Sequence, residues 1–115
     1  MLATGARRLV NITESDWRAF KKVRERALQR FSQRVLDDCL RICQENGATA
    51  HERYLNLYRL LQDRDQEMAR TFDDPRRSTA KLCLLLMRRQ GLVTDEEMAE
   101  FSPEVQRAAR LEWSA

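Results

Sequence analysis

Histidine is almost missing from this chain: His51 stands alone among 115 residues. A four-helix diiron centre takes a Glu-x-x-His pair from each of two helices, so a single imidazole excludes it. Zinc sites need several converging His, Cys or carboxylate ligands, and neither His51-Glu52 nor Cys39 with Cys43 has an evident further ligand. The three cysteines, Cys39, Cys43 and Cys83, are an odd number without a CxxC pair. Lying inside apolar helical runs, they read as reduced core residues. A thiol nucleophile would need a base beside it, and the one imidazole lies across the Gly47 turn from Cys39 and Cys43. The chain reads as non-catalytic, with no cofactor and no metal.

Glycine, proline and β-branched residues are scarce as well. Gly5, Gly47, Gly91, Pro75 and Pro103 are all the chain has, and four of these five fall between apolar periodic segments. Val and Ile together appear seven times, whereas Leu, Ala, Arg and Glu dominate, so intrinsic propensity favours helix along most of the length. No stretch approaches the roughly 20 apolar residues of a membrane span, and Arg7-Arg8 is not followed by a run of signal-peptide length. An all-α, cytoplasmic protein is expected. Leu, Ile, Val and Phe supply 26 residues and charged residues 34%, enough for one core and an ample polar surface. An N-terminal arm over residues 1–12 and a single helical domain over 13–115 follow.

Capping signals place the helices. Thr13 with Glu14 and Asp16 reads as the start of a helix, with Ile12 as a hydrophobic staple. Apolar positions Trp17, Phe20, Val23, Ala27, Phe31, Val35, Cys39 and Ile42 then recur three or four apart to an expected left-handed stop at Asn46-Gly47. Leu28, Leu36, Leu40 and Cys43 widen the stripe, so the far end of this helix should be the more buried one. Thr49 caps a second helix with Tyr54, Leu57, Tyr58, Leu61, Met68 and Phe72 on one face, ending near Asp73. Asp74-Pro75 predicts an N-cap and first turn for a third helix, whose run Leu82-Cys83-Leu84-Leu85-Leu86-Met87 suits a buried, central position. Gly91 ends it, Thr94-Asp95-Glu96-Glu97 opens a short helix as a capping box, and Ser102-Pro103-Glu104 starts the last one. The expected fold is a helical bundle with one long N-terminal helix and a short C-terminal helical hairpin.

At about 1.5 Å per residue a first helix over 14–46 spans roughly 50 Å, wider than a compact domain of this size. Either helices two and three cover its apolar stripe, or the stripe projects and seeks a second copy, which predicts a homodimer.

Charge is concentrated in that helix. Arg18, Lys21, Lys22, Arg24, Arg26, Arg30 and Arg34 face only Glu25, a local balance of +6 in a chain of net +3. Arg18, Lys22, Arg26, Arg30 and Arg34 recur every four residues as a basic stripe along which a nucleic-acid backbone could lie. The competing reading is a solvated face, or pairing with the acidic C-terminal segment, Asp95, Glu96, Glu97, Glu100 and Glu104. The aromatics Trp17, Phe20 and Phe31 sit on the apolar face rather than among the cations, unlike base-stacking platforms. The helix pair over Leu82–Ala109 has the outline of a helix-turn-helix, but its acidic second helix would meet phosphate with like charge.

The stretch Arg88-Arg89-Gln90-Gly91-Leu92-Val93-Thr94-Asp95-Glu96-Glu97-Met98 resembles the short helical hairpins with a Gly-Leu, Thr and Glu-Glu corner that end many bacterial proteins. The resemblance implies local structure and an interaction role. Two further places carry charge of note. Asp65 interrupts the apolar stripe of the second helix and is expected to form a buried ion pair with Arg76 or Arg77. Arg76, Arg77 and Ser78 at the start of the third helix form a candidate anion site. The function this supports is a protein-interaction module, with a nucleic-acid binder using the basic stripe as the alternative.

Overall fold

A computed structural model describes residues 12–110, and over these the chain is helical without strands. Helix α1 spans Glu14–Cys43, α2 Ala50–Phe72, α3 Ala80–Arg89, α4 Asp95–Met98 and α5 Pro103–Ala108, with a 3-10 turn at Arg77–Thr79 before α3. The long N-terminal helix and the bundle-like packing agree with the sequence pattern. The arm over residues 1–12, apart from Ile12, lies outside the described residues, as do Leu111 and Trp113.

The N-terminal boundaries follow the capping chemistry. Thr13 Oγ1 accepts from Asp16 N at 3.1 Å, and Ile12 packs against the core as a staple. Thr49 with Glu52 and Thr94 with Glu97 form reciprocal capping boxes, and Ser102 caps α5 with Pro103 in its first turn. At the C-terminus of α3, Gly91 adopts φ 72° while Leu92 N donates to Met87 O at 3.0 Å and Gly91 N to Arg88 O at 2.9 Å. Those two bonds are the Schellman pattern, and Leu92 completes it by burying its side chain.

Two boundaries differ from the sequence reading. Helix α1 stops at Cys43 rather than Asn46, and Gly47 is not left-handed: Gly91 and Asp74 are the positive-φ residues among those described. Arg53 of α2 donates to Cys43 O at 2.7 Å, satisfying a terminal carbonyl that a left-handed glycine would otherwise help to satisfy. Asp74 does not cap α3. It sits at φ 58°, Pro75 and Arg76 follow in non-helical conformation, and the 3-10 turn intervenes before Ala80.

The core lies at one end of the molecule. From α1 it takes Phe20, Val23, Ala27, Phe31 and Val35; from α2 only Phe72; from α3 Ala80, Cys83, Leu84 and Met87. Leu92, Val93, Met98, Phe101, Val105 and Ala109 close it from the C-terminal segment. Phe31 and Phe72 meet edge to face at 5.8 Å between centroids. Helix α3 is buried on one side, with Leu82 exposed, so it is not enclosed all round as its apolar run suggested.

The expectation that the far end of α1 is the more buried one is overturned. Its buried residues run from Asp16 to Val35 and none lies beyond. The physical reason is chain length: α3, α4 and α5 are short and gather against the N-terminal two-thirds of α1. Helix α2, at 23 residues about 35 Å long, alone follows α1 outward. The two form a projecting antiparallel hairpin, and the radius of gyration, 17.8 Å, exceeds the roughly 13 Å of a compact chain this long.

Candidate interaction surface

The basic stripe divides into two parts. Its outer members stay in solvent: Arg18 approaches Glu14 at 3.7 Å with both side chains mostly exposed, and Lys22 is exposed. Its inner members hold the C-terminal segment against α1. Arg30 donates to both oxygens of Glu97, at 2.7 and 2.9 Å, and to Leu92 O at 2.8 Å. Arg34 donates to Gln90 O at 2.6 Å and Gly91 O at 2.9 Å. Arg26 lies 3.5 Å from Glu97 and 3.6 Å from Glu100. Three successive carbonyls at the negative end of α3 thus meet two guanidinium groups, the arrangement that the helix dipole favours. Arg24, off the stripe, does the same for α2, donating to Phe72 O at 2.5 Å with its guanidinium 5.7 Å from the Phe72 ring centre.

Glu97 is the hub of this contact. Its backbone N donates to Thr94 Oγ1, its carboxylate accepts from Thr94 N, and the same carboxylate accepts the bidentate pair from Arg30. Although the side chain is buried, the Arg30 hydrogen bonds hold its pKa down at about 2; the Thr94 amide and the charges of Arg30 and Arg26 help, against the opposing effect of burial. Arg30 is shifted upward in turn, chiefly by Glu97. The pairing of the basic stripe with the acidic segment, one of the two readings of the sequence, is what the fold contains for Arg26 and Arg30.

A second buried carboxylate escaped the sequence reading. Asp16, placed there as a first-turn acid, accepts from Ser102 N at 2.9 Å and Ser102 Oγ at 2.6 Å. It fastens the start of α1 to the N-cap of α5, 86 residues away, and spacing carries no signal of such a pair.

The two charged sites expected around the third helix are not formed. Asp65 is exposed and is paired with neither Arg76 nor Arg77. Arg76 binds Asp74 at 2.6 Å, and Arg77 binds Glu14 at 2.5 Å while its guanidinium lies 5.6 Å from the Trp17 ring centre. The interhelical ion pair of α1 and α2 is instead Asp38–Arg64, at 2.9 Å. The anion site fails for the same reason. Arg76 and Arg77 are neutralised by different carboxylates, and the helix proper begins at Ala80, beyond Arg76, Arg77 and Ser78. Trp17 is half-buried, stacked on Phe20 at 5.5 Å with Lys21 and Arg77 near its ring.

The three thiols differ in their surroundings. Cys83 is buried, donates to Thr71 O, and has its pKa raised by burial. Cys39 is half-buried, whereas Cys43 is exposed and so does not belong to the core as expected. Among the described residues no group of three or more His, Cys, Asp or Glu side chains is placed to hold a metal ion, and no helix is long and apolar enough to cross a membrane.

What remains is the face of the projecting hairpin. Leu36 and Leu40 of α1 and Tyr54, Tyr58 and Leu61 of α2 are between 45% and 63% exposed. Leu36 and Leu61 line one groove, with Phe31, Ser32, Val35, Arg64, Asp65 and Met68 around it. Leu40 lies one turn beyond Leu36, and Tyr58 and Tyr54 lie one and two turns from Leu61, so all five continue a single surface toward the tip. The opposite side of the hairpin is polar: there Asp38, Arg41, Glu45, Asn56 and Arg64 surround Ile42 and Leu60. The sequence showed all five apolar residues, but as core; periodicity marks a stripe and cannot say whether anything covers it. Comparisons with protein-family models, curated proteins and solved structures returned no match.

Proposed function

We propose that this chain is a non-catalytic protein-interaction module of the cytoplasm, an adaptor, regulator or assembly subunit, that docks through the apolar face of the α1–α2 hairpin. The observation that carries this reading is the uncovered band Leu36, Leu40, Tyr54, Tyr58 and Leu61 on two helices that extend past their own core. Scattered apolar residues on a surface need no explanation, but a contiguous apolar strip between polar rims is characteristic of a binding face. Tyr54 and Tyr58 match the aromatic enrichment of interface centres, and Arg64 stands at the edge of the groove. Free thiols, Cys43 among them in solvent, suit a reducing compartment.

The nucleic-acid alternative loses most of its stripe, because Arg26, Arg30 and Arg34 are engaged within the fold. Arg18, Lys21 and Lys22 remain, a short cluster suited to weak and salt-sensitive contact with phosphate.

The test is affinity capture with the immobilised chain, comparing wild type with the double variant Leu40→Glu/Tyr58→Glu, offered both purified free chain and cell extract. Both positions are more than half exposed, so the variant should keep its far-UV circular dichroism and melting temperature. Capture of a polypeptide, self or other, that disappears in the double variant is the expected result. Capture unchanged by the double variant, or saturable nucleic-acid binding that weakens steeply with salt and is lost in Arg18→Glu/Lys22→Glu, would overturn the reading.

A further inference from the structure

The apolar face is built to receive a second copy of itself, and the geometry points to an antiparallel pairing of two hairpins into a four-helix bundle. This inference rests on the docking role proposed for that face and names its occupant.

Spacing on both helices is the first ground. Along the exposed apolar face α2 carries Tyr54, Tyr58 and Leu61 with His51 and Asp65 at its ends, three and four apart in alternation, and α1 carries Leu36 and Leu40 with Gln33 and Cys43 at its ends in the same rhythm. Three-four alternation is the seam spacing of helices that pack at a shallow angle along their length, rather than the wider stripe of a helix lying on a mixed core. Two such seams side by side make a face that two further helices can cover.

Symmetry of the polar positions is the second ground. His51 and Asp65 lie seven residues on either side of Tyr58, within one narrow sector of the helix. A two-fold axis through Tyr58 turns the tip of one hairpin onto the base of the other and sets His51 against the second copy's Asp65, twice per dimer. An imidazole donates a hydrogen bond in its neutral and its charged form, and a carboxylate accepts it. Asp65 forms no ion pair among the described residues and is the one acid at these seam positions, with Arg64 beside it at the edge of the groove. A polar residue at a seam position is the kind of feature that selects one register and orientation over others.

Area is the third. Two adjacent helices over the seam length present a face about 20 Å by about 20 Å, roughly 400 Å² in projection and more with side-chain relief. A standard interface takes about 800 Å² from each partner, so a strip of this size predicts a weak dimer whose population depends on concentration.

Sedimentation equilibrium or light scattering over a wide concentration range tests this, read alongside circular dichroism. The wild-type chain should run at twice its chain mass, and Tyr58→Glu, counted twice across the axis, should raise the dissociation constant by about 100-fold or more without loss of helix. Asp65→Lys and His51→Glu should each weaken the dimer, and the double variant His51→Glu/Asp65→Lys should recover it, because antiparallel packing brings position 51 against position 65. A monomer at all concentrations, or a dimer indifferent to Tyr58→Glu, would overturn self-pairing. Failure of the double variant to recover what Asp65→Lys loses would overturn the antiparallel order. The docking role itself stands or falls separately, on whether the same face captures any polypeptide from extract.

Discussion

Arginine does unusual duty here at the level of single residues. Four of them, Arg24, Arg30, Arg34 and Arg53, donate to carbonyls at or just beyond the end of a helix, on three different helices. Each carbonyl lacks an intrahelical donor, and a guanidinium supplies both the hydrogen bond and a charge of the favourable sign. Glu97 repays close attention because its carboxylate serves Thr94 and Arg30 together. Its folded pKa, about 2, lies below the ordinary carboxylate value, so its contribution is complete above about pH 4.5 and disappears as the pH falls through about 2. The size is about 3 kcal/mol. Urea unfolding of Glu97→Gln at pH 7 should show a loss of that order, and the acid dependence between pH 4.5 and 2 should flatten relative to wild type. Asp16→Ala should cost about 2 kcal/mol in the same assay, since Ser102 N and Oγ lose their acceptor inside the fold.

Among the elements, the C-terminal segment is held by α1 more than by its own length, since α4 has four residues and α5 six. Helices this short are not stable alone. Their order comes from caps, from burial of Leu92, Met98, Phe101 and Val105, and from the Arg26–Arg30–Arg34 row. Gly91→Ala should lower stability by about 1 kcal/mol through its positive φ, because a Cβ there would meet Arg34 at an ordinary contact distance of 3.5 Å. Thermal unfolding measures it. Replacing Lys22, Arg26 and Arg30 together by Glu, a natural probe of nucleic-acid contact, should instead unfold the C-terminal segment, with loss of cooperativity in the melt. Arg18→Glu/Lys22→Glu is the probe that should leave the fold intact.

For the molecule as a whole, the core sits at one end and the apolar hairpin face at the other. Local stability should follow that division. In a chain kept monomeric by Tyr58→Glu, hydrogen exchange should be fast around the tip, Leu40 to Leu57, and slowest around Phe20 to Phe31. Added protection of the tip in the wild-type chain, growing with protein concentration, would accompany association through that face. Protection independent of concentration would speak against it.

Helix identity was legible in the residues, because propensity and capping are local: Thr13, Thr49, Thr94, Ser102 and Gly91 each mark a boundary the fold keeps. The apolar periodicity of α1 was legible too, as were the two outcomes open to a helix longer than its domain. Tertiary structure alone decided which end of α1 is covered, since that depends on where short helices dock, a matter of long-range packing that no spacing rule contains. It also decided partners for the charges. Arg30 finds Glu97 and Asp16 finds Ser102 across most of the chain, whereas Asp65, the acid that looked out of place, is left facing solvent. Charge composition says how many such pairs are available, and only the folded geometry says which of them meet.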